Sequence, residues 1–360
     1  MTAALRAACA WSLRTQHAGA LREVGRMVGV VMEVAGPGRG VKAPLELIAA
    51  ARAPLGELLE QVGLLECDPA VRDLPLLDDA DELTDFAYDV AVEYARPLMP
   101  MLESAEWLPA WTRQRAEQIE NDAFRSLVST GKPAAYTAAR RFLVENPAGR
   151  RTEITDRLSR LGVVLKYETL DRRQIYRDGD HEWWWPCPVC RWPMAVEGRY
   201  LRCRYARHAA RFQLQPGAKR PRLLRVGDGA TRAVSTAEPA ADVVMVPDAV
   251  WRFIVVPGAT ELRLCRELEA LGASVELWPD MDTYDLHVSA GDLVLRLDVK
   301  ERTSVRALID DLRKRPPRAD VLLPQPLAHQ AENISGAGLA LIVRTERDVK
   351  KAVRRALRRS

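Results

Sequence analysis

Nothing in this chain approaches the ~18 consecutive apolar residues that a membrane-spanning helix requires, so no transmembrane segment is expected. The N-terminal Met-Thr-Ala-Ala-Leu-Arg-Ala-Ala-Cys-Ala-Trp has the small residues of a secretory leader. It lacks a basic n-region, and Arg6 interrupts its apolar run, so it does not read as one. Six cysteines in 360 residues are too few for a secreted disulfide scaffold. Cys9, Cys67 and Cys265 sit in helical apolar contexts as ordinary buried thiols, and the cytoplasm is the expected compartment. A glycine-rich phosphate loop is missing as well. Ser129-Thr-Gly-Lys132 resembles the end of one, but no glycine stands upstream and Pro133 follows. Aromatic residues are sparse at 6%, yet nine of them are tryptophan.

Nor is there a large excess of either charge: the net value is +4. Its distribution says more. Residues 1–130 hold 12 Lys and Arg against 20 Asp and Glu, while the remainder holds 41 against 29. An acidic front therefore precedes a basic back, and a polyanion is expected to bind the back. The composition is that of a soluble globular protein long enough for two or three domains.

The front is helical in pattern almost throughout, to about Arg160. Leu21, Val24, Met27 and Val28 mark one helix, Leu45 to Val62 a second helical region, and Phe86, Val90, Val92 and Tyr94 a third. Asp85, Asp89 and Glu93 share a face of the last, where a solvated surface is the simplest reading. Helices at Ala134–Val144 and Thr152–Leu161, followed by extended segments at Val163–Leu170 and Gln174–Arg177, fit a winged helix over 134–177.

A metal-ligand pattern comes next. Trp183-Trp-Trp-Pro-Cys187-Pro-Val-Cys190 is followed by Cys203 and His208, a C-x2-C, twelve residues, then C-x4-H. A C-x2-C turn presents two thiolates to one tetrahedral ion, and a hairpin at Gly198 returns Cys203 to it. His208 is the nearest fourth ligand and His181 the alternative. A redox pair would need a βαβ context and leaves Cys203 unexplained. The tryptophans are most simply the core of this small zinc ribbon; a base-stacking platform is the functional alternative. Arg199, Arg202, Arg204, Arg207, Arg211, Lys219 and Arg220 follow with no intervening acid, and are expected to contact nucleic-acid phosphates.

The densest signal is Tyr284-Asp-Leu-His-Val-Ser-Ala-Gly-Asp-Leu-Val-Leu-Arg-Leu-Asp-Val-Lys300. Two apolar-rich segments flank Gly291-Asp292, which suits a type II′ hairpin turn. Two loop residues there would set Asp285 opposite Asp298. Period-two alternation then puts Lys300 on the same face. Facing carboxylates repel, and a hard divalent cation removes that cost. Around the hairpin the pattern predicts a strand at Trp251–Val256, a helix over Glu261–Gly272 with Thr260 as its N-cap, and a strand at Ser274–Trp278. Beyond it come a helix near Ser304–Lys314 and a strand at Asp320–Leu323. Gln325–Ile334 reads as helical, Gly338–Val343 as a last strand, and Glu346–Arg359 as a basic amphipathic helix.

Asp, about a dozen residues, then Asp-x-Lys, in the element order αβββαβ, resembles the PD-(D/E)xK superfamily of restriction endonuclease-like folds, over roughly Val250–Leu357. Tyr284 stands where the family's proline would be. The whole order, a helical front, a Trp-Pro-Cys-x-x-Cys ribbon and then Val-Pro-Gly-Ala-Thr-Glu-Leu…Asp-x-Lys, resembles the restriction endonuclease-fold proteins of pPIWI-RE islands. The resemblance implies an α+β multidomain protein. Its parts would be a mostly helical region at 1–165, a zinc ribbon at 166–215, a basic linker at 216–248 and a nuclease-like domain at 249–360. It implies a metal-dependent DNA endonuclease in an anti-invader system, with a Piwi-like protein and a DinG-type helicase as partners and DNA or an RNA/DNA hybrid as substrate. Asp285, Asp298 and the Val299 carbonyl would hold Mg²⁺ or Mn²⁺. Lys300 would position or deprotonate water, and Glu261 would complete the site. A non-catalytic zinc-ribbon adaptor and a junction or repair nuclease are the competing functions.

Overall fold

The computed structural model of the chain describes residues 1–15, 18–64, 72–84, 87, 113–129, 131–217, 220–226, 234–302 and 305–359, and it is a mixed α+β protein of helices and several small sheets. Two compact units divide it, residues 1–118 with 302–314, and residues 119–301 with 315–360.

The first unit carries α1 (Thr2–Ser12), α2 (Ala20–Ala35), α3 (Pro44–Arg52) and α4 (Leu55–Gln61). Helix α1 is buried on nearly every face, which its small residues allow. Arg6, the residue that breaks its apolar run, ion-pairs with Glu23 of α2, so the charge enters the core with its partner. Val24, Met27, Val28 and Val31 form the buried stripe of α2, while Leu21 is exposed. The expected third helical region, with Asp85, Asp89 and Glu93, lies outside the described residues.

The second unit begins with α5 (Arg113–Val128), most of which belongs to it, α6 (Pro133–Glu145) and α7 (Arg151–Leu161). Strand β1 (Ala148–Arg150) lies between α6 and α7 and, with β2 (Glu168–Thr169), flanks a later strand. The hairpin expected over 163–177 is not formed. β2 pairs with β10 (Val243–Met245), and β3 (Tyr176–Asp178) pairs with β4 (His181–Trp184). Short extended segments carry little register information of their own, so the partner is chosen by packing. Strands β5 (Ala195–Glu197), β6 (Tyr200–Arg202), β7 (Arg211–Gln215) and β8 (Arg222–Arg225) make an antiparallel meander around the cysteine knuckle. The stretch 216–248 is therefore more than a connection: it supplies β8, β9 (Glu238–Pro239) and β10.

The strand expected at Trp251–Val256 is instead helical. A one-turn helix at Asp248–Val250 runs through a π-turn at Trp251–Val255 into α8 (Val256–Ala270). A short β-branched and aromatic run reads alike for a buried strand and a buried helix, and here Trp251, Ile254, Val255 and Val256 are buried around the axis. Pro257 has no N–H to donate and its ring crowds the preceding turn; the wider π-turn before it accommodates both. Glu261 thus sits in the second turn of α8 rather than at its start, and Thr260 is not a cap.

Beyond α8 lie β11 (Ser274–Leu277), β12 (Leu286–Ala290), β13 (Leu293–Val299), α9 (Val305–Lys314), β14 (Asp320–Leu323), β15 (Val343–Thr345) and α10 (Glu346–Leu357). The last strand falls a few residues later than the sequence suggests. The five strands form one sheet in chain order, antiparallel from β11 to β13 and parallel from β13 to β15. Leu286, Val288, Leu295 and Leu297 of the hairpin join Leu264, Leu268, Val349 and Val353 in a core that also includes the ribbon's Trp185, Trp192 and Phe212. The ribbon and the five-stranded sheet therefore share one hydrophobic core.

Candidate active site and metal centre

Gly291 at φ +55 and Asp292 at negative φ make the type II′ turn, and Ala290 pairs with Leu293 directly across it. The register continues through Leu286 opposite Leu297. The ladder ends there: the Asp285 amide donates to the Leu297 carbonyl at 3.0 Å, and the Asp285 side chain is buried while that of Asp298 is half-buried. The Val299 amide donates to Asp285 Oδ2 at 2.6 Å, and Lys300 Nζ donates to Asp298 Oδ1 at 2.8 Å. His287 is bonded to the Tyr284 hydroxyl at 3.0 Å and is half-buried.

Glu261 reaches this end of the hairpin from α8, where it accepts from the Trp278 indole. Two further residues meet it that the sequence did not single out. Arg140 of α6 is buried, with Nη2 3.2 Å from Glu261 and 3.8 Å from Asp285 Oδ1. Its other nitrogen pairs with Asp282, and its guanidinium lies 4.6 Å from the centroid of the Trp278 ring. The helices carrying Arg140 and Glu261 approach closely because Gly258 has no side chain. A Cβ there would meet Val144 of α6 at 2.5 Å. Trp278, Asp280, Met281 and Asp282 all have positive φ, an expensive backbone for side-chain-bearing residues, and this strained turn is what delivers Trp278 and Asp282. Both omissions had a signal. Arg140 falls on the apolar stripe of Tyr136 and Leu143, where a charge needs a reason. Asp280, Asp282 and Asp285 crowd one short segment.

The electrostatics follow from burial. Burial, together with the neighbouring Glu261 and Asp298, pushes the Asp285 carboxyl well above its usual range. Burial also raises Glu261, to about 7, even with Arg140 opposing. Among the described residues, the ion pairs of Glu261, Asp282, Asp285 and Asp298 are with Arg140 and Lys300, which leaves these six groups two positive charges short of neutral when all are ionised. An all-oxygen donor set with that deficit fits a hard divalent cation. The trio Glu261, Asp285 and Asp298 is not drawn as tightly as the cysteine cluster, whose ligand atoms lie within 4.8 Å of one another.

That cluster is Cys187, Cys190, Cys203 and His208, all buried. His208 Nδ1 is 3.3 Å from Cys203 Sγ and 3.7 Å from Cys187 Sγ, and the Cys190 and Cys203 sulfurs are 3.9 Å apart. Ligands about 2.3 Å from a central tetrahedral ion stand roughly 3.8 Å apart, so the spacing fits a metal such as zinc. Burial works against a charged imidazole, but the Cys190 and Cys187 sulfurs outweigh it and push His208 up to about 10. His181 is exposed on β4 and is no part of the cluster.

The ribbon is joined to the rest of its unit at several points. Trp192 stacks on Trp251 at 4.5 Å, and the Trp251 indole donates to Cys190 Sγ at 3.3 Å. The Tyr205 hydroxyl donates to Glu301 at 2.9 Å, one residue past Lys300. Purified without chelator, the protein is expected to carry about one zinc per chain by elemental analysis, and Cys203→Ser to lose it. Wild-type protein without metal would end the zinc reading.

The tryptophans Trp183, Trp184, Trp185 and Trp192 are buried, which places them in the core rather than on a stacking platform. Among the basic residues, Arg202 pairs with Glu197, Arg204 with Asp248, and Arg207 bonds the Tyr205 hydroxyl. Arg199, Arg211 and Arg220 are exposed, with Arg211 over the Tyr200 ring and Arg220 over the Trp183 ring. Lys219 lies outside the described residues.

Residues 258–360 match the family model described as "REase associating with pPIWI_RE", and residues 1–150 match that of the "pPIWI_RE three-gene island domain Y". The two matches support the resemblance to proteins of the pPIWI-RE island and point to a nuclease-related role. No curated protein and no solved structure matches the chain. No helix among the described residues is long and apolar enough to cross a membrane.

Proposed function

We propose that the chain is a metal-dependent endonuclease that hydrolyses DNA phosphodiester bonds within a pPIWI-RE defence island. The observation that carries this reading is the gathering of Glu261, Asp285 and Asp298 near one end of the hairpin, with Lys300 bonded to Asp298 and Arg140 reaching both Glu261 and Asp285. Asp285, Asp298 and the Val299 carbonyl would hold Mg²⁺ or Mn²⁺, with Glu261 a further ligand to the ion or its water. Such an ion polarises the scissile phosphate and lowers the pKa of bound water. Lys300 orients the attacking water and offsets the charge gathering on the phosphate; its bond to Asp298 keeps the ammonium on that side. Arg140 keeps Glu261 and Asp285 from repelling each other by supplying a fixed positive charge. The zinc cluster has a structural role: it closes the ribbon whose Tyr205 braces Glu301.

Arg199, Arg202, Arg204, Arg207, Arg211, Lys219 and Arg220 remain the proposed duplex-phosphate contacts of this reading, the exposed Arg199, Arg211 and Arg220 foremost. A Piwi-like protein and a DinG-type helicase are the proposed partners, in the cytoplasm. Nicking or linearisation of supercoiled plasmid, with Mg²⁺ added to wild type and to Asp298→Ala, tests the proposal.

A further inference from the structure

A groove on the second unit offers a second basic surface, assembled from residues scattered along the chain. Helices α6, α7 and α8 and the cysteine knuckle enclose a cavity of ≈ 670 Å³. Arg141, Arg157, Arg160, Arg191 and Arg266 line it, with Glu145 as the one acid. Glu145 is spent on Arg266 at 2.9 Å. Arg141, Arg157, Arg160 and Arg191 are exposed, and none of the four forms an ion pair among the described residues. Four like charges around one cavity repel one another, a cost that a bound polyanion would offset.

Arg191 adds an independent observation. It follows Cys190 in the knuckle at φ +60, a conformation that glycine adopts most cheaply. The chain places an arginine there and aims it at the groove. The lining also includes the apolar Phe142, Leu161, Val189 and Leu262.

We infer that this groove binds the backbone of a nucleic-acid single strand, its arginines to the phosphates and its apolar side chains beside the sugars. Its volume falls within the ~300–1,000 Å³ of ligand sites and suits one or two nucleotides. A duplex carries its phosphates on a convex rod and only lies across the mouth. A positively charged groove that tracks the backbone is one of the means by which strands are held without sequence preference. The inference does not depend on cleavage: Arg141 and Leu262 are chain neighbours of Arg140 and Glu261 but line the groove, so the two sites use different faces of the same helices.

The test is fluorescence anisotropy with labelled oligonucleotides (single-stranded DNA, single-stranded RNA and duplex DNA) without Mg²⁺ and without chelator, so that neither cleavage nor loss of the cysteine-bound metal intervenes. Arg157→Glu with Arg160→Glu, on the exposed face of α7, is compared with the charge-matched Lys351→Glu with Arg355→Glu on α10. The α7 variant is expected to bind single strands at least about tenfold more weakly, and its slope of log affinity against log salt to fall by about 1.4. The α10 variant should bind as wild type, and the DNA and RNA arms identify the strand. Undiminished single-strand binding by the α7 variant, an equal loss in the α10 variant, or an equal loss on duplex overturns the inference. Plasmid cleavage that persists alongside such a result leaves the nuclease reading standing. Groove binding by a wild type that never cuts sinks the nuclease reading alone.

Discussion

Asp298→Ala is expected to abolish Mg²⁺-dependent cleavage of supercoiled plasmid while leaving zinc content and oligonucleotide binding intact. Asp298 is half-buried, bonded to Lys300 and a neighbour of Asp285, so its loss would remove a proposed cation ligand and the anchor of the Lys300 ammonium together. An ion at such a site takes several kcal/mol off the barrier, and about 4 kcal/mol is roughly a thousandfold in rate. The fold should survive, because the side chain lies on the face opposite the Leu295 and Leu297 core. Lys300→Ala should lower cleavage comparably yet keep the carboxylates that bind the ion. Ca²⁺ should bind and support little cutting, since it orders ligands loosely and activates water poorly. If Asp298→Ala cuts as fast as wild type, the hairpin is not the catalytic centre and the zinc-ribbon adaptor takes its place.

The largest effect on stability is expected at Arg140. Arg140→Ala removes one side chain and leaves Glu261, Asp282 and Asp285 without their shared cation. Truncating one partner of a buried ion pair typically costs about 3–5 kcal/mol. In a unit of this size that lowers the melting temperature by roughly ten degrees. The deficit depends on pH in a definite direction. The Glu261 carboxyl, raised to about 7, binds a proton in the folded state that the unfolded chain has released. Its contribution to stability therefore falls as pH rises from the ordinary glutamate range through 7. Without Arg140 its carboxyl should rise further, so in metal-free protein the gap to wild type should widen toward pH 8 and narrow toward pH 5. Arg140→Lys should recover part of the loss, keeping the charge without the planar fork. A thermal melt of Arg140→Ala within two degrees of wild type at both pH values would show that the guanidinium is not what holds the cluster together.

What the amino-acid order determined by itself is what local rules govern. A glycine in the first turn position suffices for the hairpin turn and the ladder from Ala290–Leu293 to Leu286–Leu297; Asp285, one residue beyond that ladder, is placed by its own bonds to the Leu297 carbonyl and the Val299 amide. The C-x2-C spacing with Cys203 and His208 suffices for a tetrahedral donor set, because turn and hairpin deliver ligands over a few residues. Element types were legible wherever periodicity ran long, as in α2 and α10, and were not at Trp251–Val256, where burial on all sides leaves no period to read. Only the tertiary structure decided the rest. Arg140 and Glu261 are 121 positions apart, and they meet because Gly258 lets two helices touch at Val144. The arginines of the groove lie on four separate segments and form no run in the sequence. The contiguous basic run, conversely, loses Arg202 and Arg204 to carboxylates that folding brings beside them. Charge is a property of residues and can be counted along a chain, but a field is a property of their arrangement, and that waits on which helices pack.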